Sequence, residues 1–158
     1  MLGLDRAREL GAQEDGLAVV VTSRADGSPQ TSVVNAGVLD HPVTDEPVVG
    51  FVARGGSRKL GHLRRQPRVT VVFRSGWDWV AVEGDADLAG PDDHLDGLND
   101  SAVPRLLREV YAAAVGGTHD EWVELDPVMT AERHTAVLVR PARVYSNPAD
   151  PPAAGRQG

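Results

Sequence analysis

A tight turn constrains this fold more than any other feature of the sequence. The β-branched run Leu17-Ala18-Val19-Val20-Val21-Thr22 leads into Ala25-Asp26-Gly27-Ser28-Pro29, and a second run returns from Gln30 to Leu39. Asp-Gly between two such runs is the strongest short-range signal for an antiparallel hairpin, because glycine supplies the positive φ that the turn requires. Further strand-like runs follow at Pro47 to Ala53, Arg68 to Phe73, Trp77 to Leu88 and Thr135 to Tyr145. Ser75-Gly76 reads as a turn between the fourth and fifth, and Gly84 marks a bulge or a close backbone approach. Six strands joined mainly by tight turns close into an antiparallel barrel more readily than they build a βαβ array. The expected fold is therefore mainly β with a few helices.

Helical spacing is confined to short stretches. Residues 4–14 place Leu4, Ala7 and Leu10 on one face, and Leu60 and Leu63 do the same between Ser57, a good N-cap, and Pro67, a stop. Residues 92–115 read as largely helical, with Leu95, Leu98, Leu106, Leu107, Val110 and Ala114 as the buried face and a fresh helix starting near Pro104. Thr118 to Met129 reads as one more short helix. The expected organisation is one domain over 1–146 and a flexible Pro-, Ala- and Gly-rich tail over 147–158.

Composition excludes several chemistries. With no cysteine, disulfides, thiolate catalysis and cysteine-ligated metal sites are out. The five histidines lack metal-ligand spacing, and no nucleophile elbow is present, so no metal and no catalytic triad is expected. No apolar run approaches the ~20 residues that span a bilayer, and residues 1–16 carry charges throughout, so a cytoplasmic protein with no membrane partner is expected. A net charge of −7 argues against general nucleic-acid binding.

Against that acidity stands one basic island. Arg54, Arg58, Lys59 (the chain's only lysine), Arg64, Arg65 and Arg68 lie within 15 residues that hold no acid. Arg58 and Lys59 fall at a helix start, where cations oppose the macrodipole by about 0.3–1 kcal/mol each. A phosphate removes the conflict: free N–H groups, Gly55 and Gly56, the Ser57 hydroxyl and two cations would converge on it. The same pattern also describes a plain solvated helix face, and it does not say which phosphate. The absence of a P-loop or a dinucleotide-binding glycine fingerprint argues against nucleotide hydrolysis and a Rossmann site.

Four stretches together carry a family resemblance: LAVVVTSRADGSPQTSVV, VVGFVARGGSRKLGHLRRQPRVTVVF, VAVEGDADL and HTAVLVRPARVYSNP. In this order and spacing, covering most of residues 17–148, the chain resembles the pyridoxamine-phosphate-oxidase-like flavin-binding superfamily, and within it the branch using the deazaflavin coenzyme F420. The resemblance implies a six-stranded split β-barrel of the FMN-binding type, a homodimer with cofactors in grooves between subunits. It places the cofactor phosphate on Ser57, Arg58 and Lys59, with Arg54 as an alternative cation. It sets the strand bearing Ser32, Val34 and Asn35 against the ring system and draws the Trp77–Trp79 turn from the partner subunit. Trp77 and Trp79 alternate on one strand face; such a pair suits a core or interface as well as a cofactor wall. His119-Asp120-Glu121 beside Trp122 suits a substrate lid or a plain helix start.

The implied activity is an oxidoreductase passing hydride between reduced coenzyme F420 and a small, enone or tetrapyrrole-like acceptor. FMN is the alternative cofactor, and a non-catalytic flavin or haem binder the third reading. Fifteen arginines against one lysine fit the GC-rich genomes where the deazaflavin branch abounds, and Arg64, Arg65 and Arg68 would suit that coenzyme's oligoglutamate tail. Strand two, TSVVNAGVLD, lacks the Arg-x-x-x-Leu-Lys stretch of pyridoxamine-phosphate oxidase proper.

Overall fold

The computed structural model describes residues 3–116 and 126–147. Within them a closed barrel runs in the order β1 (Leu17–Ser23), β2 (Pro29–Asp40), β3 (Pro47–Ala53), β6 (Thr135–Ser146), β5 (Asp78–Ala89), β4 (Arg68–Ser75), with β4 returning to β1. Every pairing is antiparallel. The Asp-Gly turn forms as expected: Gly27 sits at φ +85, and the Asp26 carboxylate accepts hydrogen bonds from the Ser28 amide (3.0 Å) and hydroxyl (2.6 Å). Those bonds hold the Asp26 carboxyl below its ordinary pKa.

Gly84 is the close approach that the sequence suggested. The register between β5 and β6 slips at Glu83/Gly84, and a Cβ on Gly84 would lie 1.8 Å from the Arg140 carbonyl oxygen. The slip lets Val137 and Val139 on one side, and Val144 on the other, all point into the barrel core despite their mismatched parity.

Two helices close the two ends. α1 (Asp5–Gln13) and its N-cap Leu4 bury Leu4, Ala7 and Leu10 at the Phe73 end of β4, where a Cβ on Gly11 would lie 3.4 Å from the Phe73 ring. α2 (Arg58–Arg65) buries Leu60 and Leu63 at the opposite end. It is tied to β1 by a 3.0 Å hydrogen bond between His62 Nδ1 and Thr22 Oγ1, and by Arg65 donating to the Ser23 carbonyl. α3 (Val103–Val115) lies outside the barrel on β2 and β3, and Leu106, Leu107 and Val110 build a second core there with Val48, Leu138 and Met129.

Two expectations need correction. Residues 92–99 are not helical: they form a loop bridged at Gly90–Asp93 and closed by a 3-10 turn at Asp100–Ala102, and α3 begins only where Pro104 permits. Leu95 and Leu98 still pack on the second core, but from that loop. Trp77 lies in the turn before β5, not on the strand with Trp79. Of the stretch read as helix over Thr118 to Met129, only 126–129 are described, within helical residues 126–131; the rest, with the His119–Trp122 group, lies outside the described residues. Among the described residues no helix is long and apolar enough to cross a membrane.

Candidate functional site

A cleft of about 260 Å³ lies where β2, the end of β3, the start of α2 and the side of α3 meet. The sequence-predicted residues Val34, Asn35, Arg54, Ser57 and Lys59 line it together. β3 ends at Ala53, and the tight Arg54–Ser57 turn, with Gly56 at φ +82, aims the chain into α2. Ser57 is the N-cap, yet its side chain caps nothing: its Oγ is buried without a hydrogen-bond partner. Among the described residues Lys59 forms no ion pair or hydrogen bond, and no acid occupies the first turn of α2. A buried, unpartnered hydroxyl and an unpartnered ammonium beside free helix N–H groups form a donor set that fits a phosphate.

The other predicted residues stand apart. Arg58 is on the same turn but exposed and does not line the cleft. Ser32 lies on β2 opposite Val20. Trp79 packs edge-on against Tyr145, ring centres 6.0 Å apart, and Trp77 is 61% exposed; neither lines the cleft of its own chain. The far wall, Val110, Tyr111 and Ala114 of α3, was not anticipated as part of a site.

Much of the basic island is engaged inside the chain. Arg64 grips Asp93 through two bonds of 2.9 and 2.7 Å, Arg65 holds the Ser23 carbonyl, and Arg68 lies 3.6 Å from Asp85. Arg54 donates to Glu132 at 2.8 Å. A hydrogen bond from His134 Nε2, with the Arg54 guanidinium behind it, holds the Glu132 carboxyl below its ordinary pKa.

This architecture recurs in solved structures. A conserved hypothetical protein from Mycobacterium tuberculosis superposes with a TM-score of 0.67 at 19% identity, over 92% of this chain and 84% of that one. A pyridoxamine 5'-phosphate oxidase-related, FMN-binding protein from Nostoc punctiforme gives 0.60 at 14% identity over the same shares, 92% and 84%. An F420 reductase gives 0.55 at 17%, over 83% of this chain and 90% of that one. These likenesses concern the fold. The sequence pattern of the pyridoxamine 5'-phosphate oxidase family matches residues 5–146, from α1 through the whole barrel to the last residue of β6, and the chain belongs to that family.

Proposed function

We propose that the chain is an oxidoreductase holding a phosphate-bearing flavin-type cofactor in the cleft beside α2, with coenzyme F420 as that cofactor. The observation that carries the reading is the unpartnered pair at the start of α2: the buried Ser57 hydroxyl and the Lys59 ammonium. These two, with the backbone N–H groups after Gly56, would hold the phosphate; Arg54 could join by exchanging Glu132 for the anion. Val34 and Asn35 on β2, with Tyr111 from α3, would border the rest of the molecule. When bound, such a cofactor supplies hydride-transfer chemistry, and the protein contributes position and electrostatics. The acceptor would be an enone, imine or tetrapyrrole-like molecule, protonated from solvent or from a pocket side chain.

FMN is the second reading, and one observation favours it. Arg64 is held by both Asp93 oxygens and Arg65 donates to the Ser23 carbonyl, so fewer cations are left for an oligoglutamate tail. A purified-protein absorption spectrum, followed by titration with each cofactor, separates the two. Anaerobic reoxidation of reduced F420 by a panel of acceptors then tests turnover. Tight co-purification of FMN with no affinity for F420 overturns the deazaflavin reading, and binding without turnover of any acceptor leaves a cofactor-sequestering protein.

A homodimer is part of the proposal. Val33, Val19, Val72, Ala81 and Tyr145 stand directly opposite one another across β2, β1, β4, β5 and β6 on the outer barrel face. Val33 is 66% exposed and Val19 40%. Ala81 is buried, so the exposed part of the row is Val33 with Val19 at one end and Tyr145, 38% exposed, at the other; exposed apolar side chains of this kind mark an interface, and a second copy of the chain would cover them. Trp77, exposed and not lining its own cleft, would then be available to the partner's.

A further inference from the structure

The cofactor cleft is lined by two cations, Arg54 and Lys59, and by no acid. The two cations are not in the same state. Lys59 has no ion-pair or hydrogen-bond partner among the described residues, whereas Arg54 already has an anion. Its Nε donates to Glu132 Oε2 at 2.8 Å, and the same oxygen lies 3.1 Å from His134 Nε2. Glu132 does not line the cleft, so the chain carries its own counter-ion beside one of the two lining cations. The hydrogen bond from His134, with Arg54 behind it, holds the Glu132 carboxyl below its ordinary pKa, and at neutral pH the group is an anion.

Backbone contacts fix that counter-ion in place. The Glu132 N–H donates to the Val128 carbonyl at 2.9 Å, and the Glu132 carbonyl accepts from the Gly55 N–H at 3.0 Å. A Cβ on Gly55 would lie 2.7 Å from Arg133 Cβ and 3.0 Å from the Glu132 carbonyl oxygen, so the turn into α2 packs directly on residues 132–133. Arg133 adopts a left-handed backbone, φ +53, and its guanidinium is clamped by both Asp92 oxygens. Arg54 is the opposite case: its side chain is 70% exposed and makes a single hydrogen bond. The carboxylate is therefore the fixed member of the pair, and the guanidinium is the member that can leave.

We infer that Glu132 sets the charge of the phosphate that this cleft accepts, favouring a monoanionic phosphodiester over a dianionic monoester. With Arg54 matched to Glu132, the lining presents one uncompensated charge, the Lys59 ammonium. Arg58 is exposed and outside the lining, so it acts through solvent, where salt screens it. One ammonium, the Ser57 hydroxyl and the N–H groups at the start of α2 match a single negative charge. A terminal phosphate carries about −1.5 to −2 at pH 7. Its second charge calls for Arg54, and drawing Arg54 away leaves Glu132 with His134 alone. An exposed ion pair is worth a factor of roughly 1.5 to 5 in an equilibrium, and repulsion between the fixed carboxylate and a dianion acts in the same direction. A diester requires neither change. The ligand class is a cofactor whose phosphate links two parts of a longer molecule rather than ending it. This assignment rests on the reading that the cofactor phosphate sits at this turn.

The test uses the full chain and a matched pair of probes, phenyl phosphate (a monoester) and methyl phenyl phosphate (a diester), with phenol as the uncharged control. Amide NMR titrations at about pH 7.5 and about 0.15 M salt follow Gly56, Ser57 and Lys59. The wild type should bind the diester at least as tightly as the monoester, although the diester carries less charge. Glu132→Gln keeps the shape of the side chain and removes its charge. It should improve the affinity for the monoester at least about threefold more than that for the diester. That gain should vanish when Arg54→Ala is added. A merely structural effect at residue 132 would move both probes together and would not depend on Arg54. An equal gain for both probes, or a gain that survives without Arg54, overturns the role of Glu132. A wild type that prefers the monoester overturns the diester assignment. Phenol shifting the same amides as strongly as the phosphates, or no saturable shift from either phosphate up to about 50 mM, overturns the phosphate at this turn, and the role of Glu132 falls with it.

Discussion

Removing the Lys59 ammonium should separate anion binding from folding. Among the described residues this side chain has no hydrogen-bond or ion-pair partner, and it is only half buried. Lys59→Ala should therefore change fold stability by no more than about 0.5 kcal/mol, the range for surface changes away from special features. A bound phosphate changes the arithmetic. Unit charges about 4 Å apart attract by about 4 kcal/mol at an effective dielectric near 20. Desolvation and the ordering of a long side chain offset part of this, leaving about 1.5–3 kcal/mol, as for hydrogen bonds to charged groups. Loss of that interaction raises the cofactor Kd roughly 10- to 150-fold. Fluorescence titration of FMN and of F420 against both proteins measures it, with thermal melts alongside. Lys59→Arg should recover much of the affinity, and added salt should weaken the wild type more than the Ala variant. A Kd within about twofold of wild type, with the melt unchanged, refutes phosphate binding at this turn.

Gly84→Ala places a Cβ 1.8 Å from the Arg140 oxygen and 2.8 Å from its carbonyl carbon, both backbone atoms. The bulge must then move, and a loss of about 3 kcal/mol or more is expected, read as a melting temperature lower by roughly 6–12 °C. His94 should titrate above its ordinary imidazole value, because Asp100 accepts its hydrogen bond at 2.8 Å. NMR titration of Asp100→Asn should bring it back down. A raised pKa means that the contact's stabilisation is full below the unfolded value and fades as pH rises through the folded one. Val33→Glu sets a charge into the outer apolar row without touching the barrel core. Light scattering should then show a fall from twice the 16.8 kDa chain mass to that mass; an unchanged mass removes this face from the interface.

The barrel was readable because its determinants are local. Asp26-Gly27 needs only its own turn geometry, and Gly76 at φ +59 between Ser75 and Asp78 closes the next hairpin in the same way. The turn into α2 was readable for the same reason, since Gly55 to Lys59 are consecutive. Residues 92–99 misled because two leucines three apart fit a helix face and also a loop that dips twice into an apolar surface. Only tertiary contacts, Arg64 gripping Asp93 and Arg133 gripping Asp92 from elsewhere in the fold, decide between them.

The α3 wall of the cleft was missed for a different reason, although the sequence held a signal for it. Gly37 and Gly50 are register partners on β2 and β3, so the outer sheet face has a shallow trough with no side chain at either position. A Cβ on Gly37 would strike the Ala113 carbonyl oxygen at 2.2 Å, and one on Gly50 would touch Val110 at 3.4 Å. Paired mid-strand glycines weaken a sheet unless another backbone comes close, and here α3 settles into the trough. That seating fixes the rotation of the helix: with Val110 over Gly50 and Ala113 over Gly37, Tyr111 and Ala114 are left beside Asn35 and Lys59. The glycine pair therefore sets which residues of α3 face the proposed cofactor, and Gly37→Val should displace the helix and the cleft wall together. A comparison of the tyrosine resonances in Gly37→Val and wild type would show it, and a Tyr111 signal unchanged by the substitution would break the argument.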